Sequence, residues 1–440
     1  MLRQTQLLNT NISRKAITNT HPTMTQQPDI VIPHSVEMPQ TLLSTTSNGV
    51  KIYRLESNDF EVVRFSFVFH AGTSMQQKPF SASATANMMG EGSEHLTAQQ
   101  IAETFDFYGS YFDVNIDRDY TYISFCSLLK FFEPTAEVAE EILLHPAFPE
   151  REFEVYRNKR KQSLKIERQK VDTQSRELFA EALFGKNHPY GMSSSEELYD
   201  QLTTDDLRAL YAKLYTANNC FVVCSGHITP EVLQKIESIA SALHSGESLD
   251  VAFPKPETTH YVERNVASAL QSSIRVGRLL FDRTHRDFVG MQVVAAILGG
   301  YFGSRLMQNL REEHGYTYGV MAAMVNFDKE GYLAIATQVA REHRDDALRE
   351  IFYEIEQLRT EPIDENELQM VKNVMIGEIL RILDGPFGIA DVTIENIMCG
   401  MDNSATQHSV EQIFAITPKE IQRLAQEYLK REDLVVAVVG

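Results

Sequence analysis

Apolar and polar positions change period repeatedly along the chain from Thr41 onward. Some runs alternate or stay apolar over a few residues, as strands do, whereas others repeat their apolar residues at helical spacing. The pattern predicts strands over 49–53, 62–69, 120–125 and 220–226. It predicts helices over 81–90, 97–108, 133–144, 149–170, 173–184 and 204–215. This mixture of elements indicates an α+β protein.

The same order of elements returns in the second part of the chain. The strand at 122–125, the helix before Pro146 and the helix from 149 are echoed by the strand at 332–335, the helix at 343–358, Pro362 and the helix at 364–382. Likewise, the segment 202–226 is echoed by 416–440. The echo predicts two tandem homologous domains, each an antiparallel-rich β-sheet backed by α-helices on one face.

Composition suggests where these domains begin and end. Residues 1–40 are polar, and we expect them to form a tail that is poorly ordered at its start. Residues 41–243 would form the first domain, and 261–440 the second. Residues 244–260 read as a linker from their Gly, Ser, Pro and charge content. A chain of 440 residues suits two domains of this size.

The net charge of −19 argues against nucleic acid or an anionic membrane as a partner and is compatible with basic or neutral peptides. No apolar run is long enough for a transmembrane helix. The cysteines at 126, 220, 224 and 399 lie in or beside apolar stretches and lack CxxC spacing, so we interpret them as reduced thiols of a cytoplasmic protein. The first 28 residues contain Arg3, Arg14 and Lys15 but no acid, which leaves a mitochondrial transit peptide as the alternative.

Residues 299–318 combine a glycine-rich loop with a helix and a second glycine signal. Gly299, Gly300 and Gly303 form the loop, and Ser304 is the expected N-cap of the helix. Gly315 occupies the place of a left-handed residue at the end of that helix. We expect a strand to begin at residues 316–318.

This segment, together with 71–72, 117–121 and 187–191, resembles the M16 peptidases, the family of pitrilysin, insulysin and the mitochondrial processing peptidase. The resemblance covers about residues 45–440. It implies that Arg311 and Tyr318 bind the substrate peptide opposite a zinc site held by the other half of the apparatus. The loop glycines Gly299, Gly300 and Gly303 would belong to the same substrate-binding site. Tyr316 is the nearest rival of Tyr318 as the hydroxyl donor, because the two would share one face of a strand.

The zinc half of that apparatus is missing from this chain. Active family members carry His-x-x-Glu-His on the first helix, where two histidines bind zinc and the glutamate activates water. An ungapped alignment places those positions on Ser83, Ala86 and Asn87, and the third ligand at Ser163. We therefore expect neither a metal ligand nor a catalytic residue on this chain alone, and zinc on a partner chain.

The resemblance thus predicts a non-catalytic subunit of a two-chain zinc peptidase. Its partner would be a zinc-bearing M16 subunit, or a second copy of itself, and its ligand a peptide that adds as a strand to a sheet edge. Two alternatives stay open: an inert structural subunit resembling the core proteins of a respiratory complex, and an autonomous metallopeptidase with its site relocated to Glu91, Glu94 and His95. Glycines at 90 and 92 disfavour a rigid ligand set there.

Overall fold

The computed structural model describes residues 35–247, 252–328 and 330–440. The strands, in chain order, are β1 (Leu42–Thr45), β2 (Lys51–Glu56), β3 (Val62–Phe69), β4 (Tyr111–Ile116), β5 (Thr121–Leu128), β6 (Cys220–Gly226), β7 (Tyr261–Arg264), β8 (Gln271–Leu280), β9 (Val320–Asn326), β10 (Gly331–Ala340) and β11 (Val435–Val439).

The α-helices, in chain order, are α1 (Ser81–Met88), α2 (Ala98–Tyr108), α3 (Phe132–Leu144), α4 (Glu150–Glu167), α5 (Val171–Phe184), α6 (Thr204–Leu214), α7 (Pro230–Ala242), α8 (Phe288–Ala295), α9 (Arg344–Thr360), α10 (Glu365–Ile382), α11 (Pro386–Met398), α12 (Ser404–Ala415) and α13 (Pro418–Tyr428). None of the helices in these described residues combines the length and the apolar character needed to cross a membrane.

The strands form two sheets that repeat one topology. The first has the order β1-β2-β6-β3-β5-β4, and the second has the order β7-β11-β8-β10-β9. Each sheet contains one parallel pair, β2 with β6 and β7 with β11, while its other pairs are antiparallel. The α+β class with two antiparallel-rich sheets is therefore confirmed. The strand order of the second sheet repeats that of β2 to β4 in the first sheet, as expected for a duplicated unit.

The repeated elements agree with the echo seen in the sequence. Strand β5 corresponds to β10, helix α3 to α9, and helix α4 to α10. Helix α7 ends at Ala242 and β7 begins at Tyr261, so the predicted linker at 244–260 falls between elements of the two sheets. The exact domain boundaries remain a prediction, and most of the predicted polar tail lies outside the described residues.

Both faces of each sheet are covered, which corrects the expectation of helices on one face only. Helices of the same half cover one face in two large apolar cores. The opposite face of the second sheet packs on α5, where Phe179 and Leu183 meet Val435 and Ala437. Periodicity revealed that α5 has a buried side but could not show that its partner is the sheet of the other half.

The first sheet receives the reciprocal helix from the second half. Ala390 and Ile394 of α11 pack against Leu55, Val68 and Val223 of the first sheet. Burial on both faces explains why strands such as β11 read as continuous apolar runs, since every residue of β11 is buried.

Ion pairs accompany both exchanged helices. Arg275 on β8 donates to the Asp172 carboxylate of α5 at 2.7 Å. Arg64 on β3, the equivalent strand of the first sheet, lies 2.6 Å from the Asp391 carboxylate of α11. Each half thus fixes the helix that it receives with an arginine from the same strand of the repeated order.

Asp119 connects the two halves at their hairpin turns. It is 3% exposed, and its Oδ1 accepts from the hydroxyl of Tyr190 at 2.7 Å and from the hydroxyl of Ser74 at 3.1 Å. Its Oδ2 accepts from the backbone N–H of Asp328, in the β9–β10 turn, at 2.9 Å. Burial, and then the Asp119 charge, raises the pKa of the Tyr190 phenol, which keeps it a hydrogen-bond donor.

We predict that Tyr190→Phe lowers the free energy of unfolding by about 1–3 kcal/mol, because it removes a buried hydrogen bond to a charged acceptor. The matched control is Tyr261→Phe. The Tyr261 hydroxyl also donates to a carboxylate, that of Glu263 at 2.7 Å, but this tyrosine is 55% exposed. Urea denaturation should show a loss of less than about 0.5 kcal/mol in the control. Equal losses in the two variants would contradict this account of the junction.

Candidate functional site

The glycine-rich loop passes directly over β9. After α8 the chain continues as a wide helical turn, Ala296–Gly300, and Gly299 reaches the backbone of the edge strand. A Cβ at Gly299 would lie 2.6 Å from the backbone nitrogen of Ala322, a distance at which neighbouring backbone must move. Glycine is therefore required here for close approach, and its φ of −162° is ordinary extended backbone.

The helix that follows the loop is wound more widely than expected. Residues Met307–Glu313 form a π-helix, and the His314 N–H donates to the Asn309 carbonyl, five residues back, at 3.1 Å. The side chain of Asn309 donates to Glu354 Oε1 of α9 at 2.8 Å, and burial raises the pKa of that carboxyl. These contacts fix a helical geometry that is rare and often found at functional sites.

Two sequence predictions about the ends of this segment have different outcomes. Gly315 has φ +66°, the left-handed conformation predicted for it. Ser304 lies at the predicted N-cap position, directly before the first helical residue, Arg305. The expected cap by its hydroxyl is wrong, because that hydroxyl is buried and has no hydrogen-bond partner among the described residues. The backbone carbonyl of Ser304 instead accepts from Gln308 N–H at 3.0 Å.

The predicted strand at 316–318 is also wrong, because β9 begins only at Val320. The Tyr316 N–H still closes the end of the helix by donating to Leu310 O at 2.8 Å, and the Tyr316 ring stacks on His343 at 4.6 Å between centroids. Tyr318 makes no such packing and is 93% exposed. Of the two rival phenols, Tyr318 is the accessible one.

A cavity of about 910 Å³ lies beside this segment, at the face of the second sheet that packs on α5. Gly299, Gly300, Phe302 and Tyr318 line it on one side. Of the remaining predicted residues, Gly303 and Arg311 are not on its lining. The Arg311 guanidinium lies 4.5 Å from the centre of the Phe302 ring, so the arginine is held at the rim by a cation–π contact.

The cavity is also lined by residues that the sequence did not predict to belong to the site. Arg176 and Asp172 from α5, and Arg275 from β8, line its other side. These residues come from parts of the chain that only the exchange of helices brings together. Apart from their charge, no local signal in the sequence could have assigned them to the site.

The positions aligned with the family's metal ligands lie on helices, as predicted, but present no ligand set. On α1, the Ser83 hydroxyl donates to Phe80 O at 3.1 Å, and the Asn87 amide donates to Ser83 O at 2.7 Å. Ala86 is buried between them. Ser163 lies on α4. Within the residues that the structure describes, no group of three or more His, Cys, Asp and Glu side chains could hold a metal ion.

The alternative site at Glu91, Glu94 and His95 does not converge either. His95 Nδ1 lies 3.0 Å from a carboxylate oxygen of Glu141 on α3. Glu94 lies 4.0 Å from His145 Nδ1. The three proposed ligands therefore face different partners, and Glu91 is exposed in a turn.

Comparisons with known proteins are consistent with these features. Residues 201–375 match the family model described as Peptidase M16 inactive domain. The chain thus resembles the M16 peptidases. The match to the M16 inactive domain begins before the predicted linker and extends through the glycine loop, Arg311 and Tyr318.

Several M16 relatives cover most of the chain. The chain is 22% identical over 361 residues to the "Uncharacterized zinc protease YmxG" of Bacillus subtilis, covering 80% of this chain and 86% of that protein. It is 22% identical over 364 residues to the "Non-peptidase homolog YmxG" of Helicobacter pylori, with 81% and 83% covered. It is 19% identical over 436 residues to the "Probable mitochondrial-processing peptidase subunit beta" of Arabidopsis thaliana, with 92% and 80% covered.

The M16 fold is also seen among solved structures. A crystal structure of a peptidase M16 inactive domain from Pseudomonas fluorescens superposes with a TM-score of 0.83 at 23% identity, covering 91% of this chain and 98% of that chain. At this identity the likeness establishes the fold.

We predict that Gly299→Ala destabilises the loop and lowers the free energy of unfolding by about 1–3 kcal/mol, because the new methyl group is forced against the β9 backbone. Gly319→Ala is the matched control, since a Cβ at Gly319 meets nothing within 4 Å. Urea denaturation of both variants measures the difference. A Gly299→Ala protein as stable as the control would show that the close approach to β9 does not require glycine.

Proposed function

We propose that this chain is the non-catalytic subunit of a two-chain M16-type zinc peptidase. In this proposal it supplies Arg311 and Tyr318 to a peptide whose cleavage takes place at zinc on the partner chain. The partner is a second M16 chain that carries His-x-x-Glu-His. Two observations together carry the proposal. The aligned positions of α1 offer no metal-ligating side chains, and the Tyr318 phenol is 93% exposed at the edge of a 910 Å³ cavity.

The chemistry of the two side chains fits this role. The Tyr318 hydroxyl and the Arg311 guanidinium are hydrogen-bond donors, suited to a peptide carbonyl or to the oxyanion that forms when the carbonyl is attacked. Phe302 holds the guanidinium at the rim. The nearest acid, Glu312, is 3.5 Å from Arg311 Nε on an exposed side chain, a contact that a ligand could displace at little cost.

The position of the cavity supports binding of an extended peptide. Strand β9 is at the edge of the second sheet, and Tyr318 precedes it by two residues. A peptide could add to this edge through its main chain while the glycine loop gives its backbone room. The names of two relatives agree with a subunit role: one is called a non-peptidase homolog, the other a processing-peptidase subunit.

A cytoplasmic location is part of the proposal. The four cysteines are free thiols in the structure, two of them buried, which suits a reducing compartment. A mitochondrial matrix location would provide the same thiol chemistry. The basic residues at 3, 14 and 15 and the mitochondrial name of one relative favour it.

We predict that Tyr318→Phe and Arg311→Gln each lower kcat/KM for peptide cleavage at least tenfold, on the order of the loss of one preorganised donor. The assay uses this chain reconstituted with the zinc-bearing M16 chain of the same cell. Tyr353→Phe is the control, because Tyr353 is exposed on α9 away from the cavity. Cleavage by the two site variants at the rate of the control would remove both residues from the substrate site.

A further inference from the structure

Three arginines come together near the face of the second sheet that packs on α5. Arg176 and Arg275 line the 910 Å³ cavity. Their charges and that of Arg118 all act on the phenol of Tyr332, on β10. Arg118 comes from the β4–β5 turn, Arg176 from α5 and Arg275 from β8, so the arginine cluster forms only when the two halves are assembled.

Only one member of the arginine cluster is neutralised by a carboxylate. Arg275 donates to Asp172 at 2.7 Å and to the hydroxyl of Ser175 at 3.0 Å. In the described part of the chain, the guanidinium groups of Arg118 and Arg176 form neither an ion pair nor a hydrogen bond. The neighbouring carboxylate of Asp119 is occupied by donors at the junction of the halves. The cluster therefore carries excess positive charge inside a protein of net charge −19.

Arg118 and Arg275 are partly buried, whereas Arg176 is exposed. Burial lowers the pKa of the Arg118 guanidinium. Arginine stays protonated even so, and like charges brought together in a poorly solvated site repel each other more strongly than in water. An anion placed between these groups would relieve that repulsion. The positive N-terminal end of α5 adds to the attraction, because Asp172 and Arg176 lie in its first turns.

We propose that the arginine cluster binds a carboxylate of the peptide that occupies the cavity. This inference rests on the proposed peptide-binding function and adds a preference to it. Guanidinium groups match a carboxylate in shape and donate paired hydrogen bonds. The carboxylate comes either from a Glu or Asp side chain or from the C-terminus of the peptide, which are the two sources of one chemistry. The preference is opposite to that indicated by net charge alone.

Fluorescence anisotropy with the full chain tests the inference. The probes are fluorescein-labelled peptides of alternating valine and serine that carry one central Glu or Gln and end in a free carboxylate or an amide. We expect a carboxylate at the favoured position to tighten binding about tenfold over the neutral Gln amide peptide. The Glu peptide that ends in an amide carries only the side-chain carboxylate, and the Gln peptide with a free C-terminus carries only the terminal one. Comparing these two peptides therefore identifies which carboxylate is bound.

Arg176→Gln is the decisive variant, because Arg176 is exposed and its guanidinium has no hydrogen-bond or ion-pair partner among the described residues that the substitution would remove. It should abolish the tenfold gain while leaving the affinity for the neutral peptide unchanged. Arg286→Gln makes the same charge change on an exposed residue outside the cavity and should retain the gain.

The outcomes separate this inference from the function on which it rests. If the neutral peptide binds and neither carboxylate tightens it, or if both variants respond alike, the carboxylate site is wrong and peptide binding stands. If none of the peptides binds, the chain does not hold the substrate by itself, and both the proposed substrate-binding role and the inference fail.

Discussion

The structure depends on the exchange of two helices between its halves. Each sheet is apolar on both faces, and its own helices cover only one of them. The other face is buried by α5 in the second sheet and by α11 in the first. Since exposed apolar faces of this size are unfavourable in water, each half is stabilised by the helix that it receives from the other.

The same exchange builds the candidate site. Helix α5 carries Asp172 and Arg176 from the first part of the chain to the cavity beneath the second sheet. The glycine loop and Tyr318 line the cavity on the opposite side, and the wide helix Met307–Glu313 lies between them in the chain. The site therefore forms only when the two halves are assembled, although the glycine loop, Arg311 and Tyr318 are close in sequence.

Much of the fold could be predicted from the sequence, because hydrophobic period and the internal echo are local or repeated signals. The left-handed Gly315 was also accessible, since special backbone positions leave a residue-type signature. The close approach of Gly299 to β9 was not predicted, because the sequence does not show which strand the loop crosses. The strand predicted at 316–318 failed because the Tyr316 N–H is still bonded to the end of the helix and β9 begins only at Val320. The exchanged helices and the convergence of Arg118, Arg176 and Arg275 could not be predicted, because periodicity shows that a face is buried but not what covers it.

We propose that this chain, which presents no metal-ligand set among its described residues, completes the zinc site of another chain. The most direct measurement is affinity purification of the chain from its native cell, followed by mass spectrometry of whatever is recovered in near-equal amount. The account predicts a partner of similar length that carries His-x-x-Glu-His. Recovery of this chain only with copies of itself would contradict the account and favour a structural role.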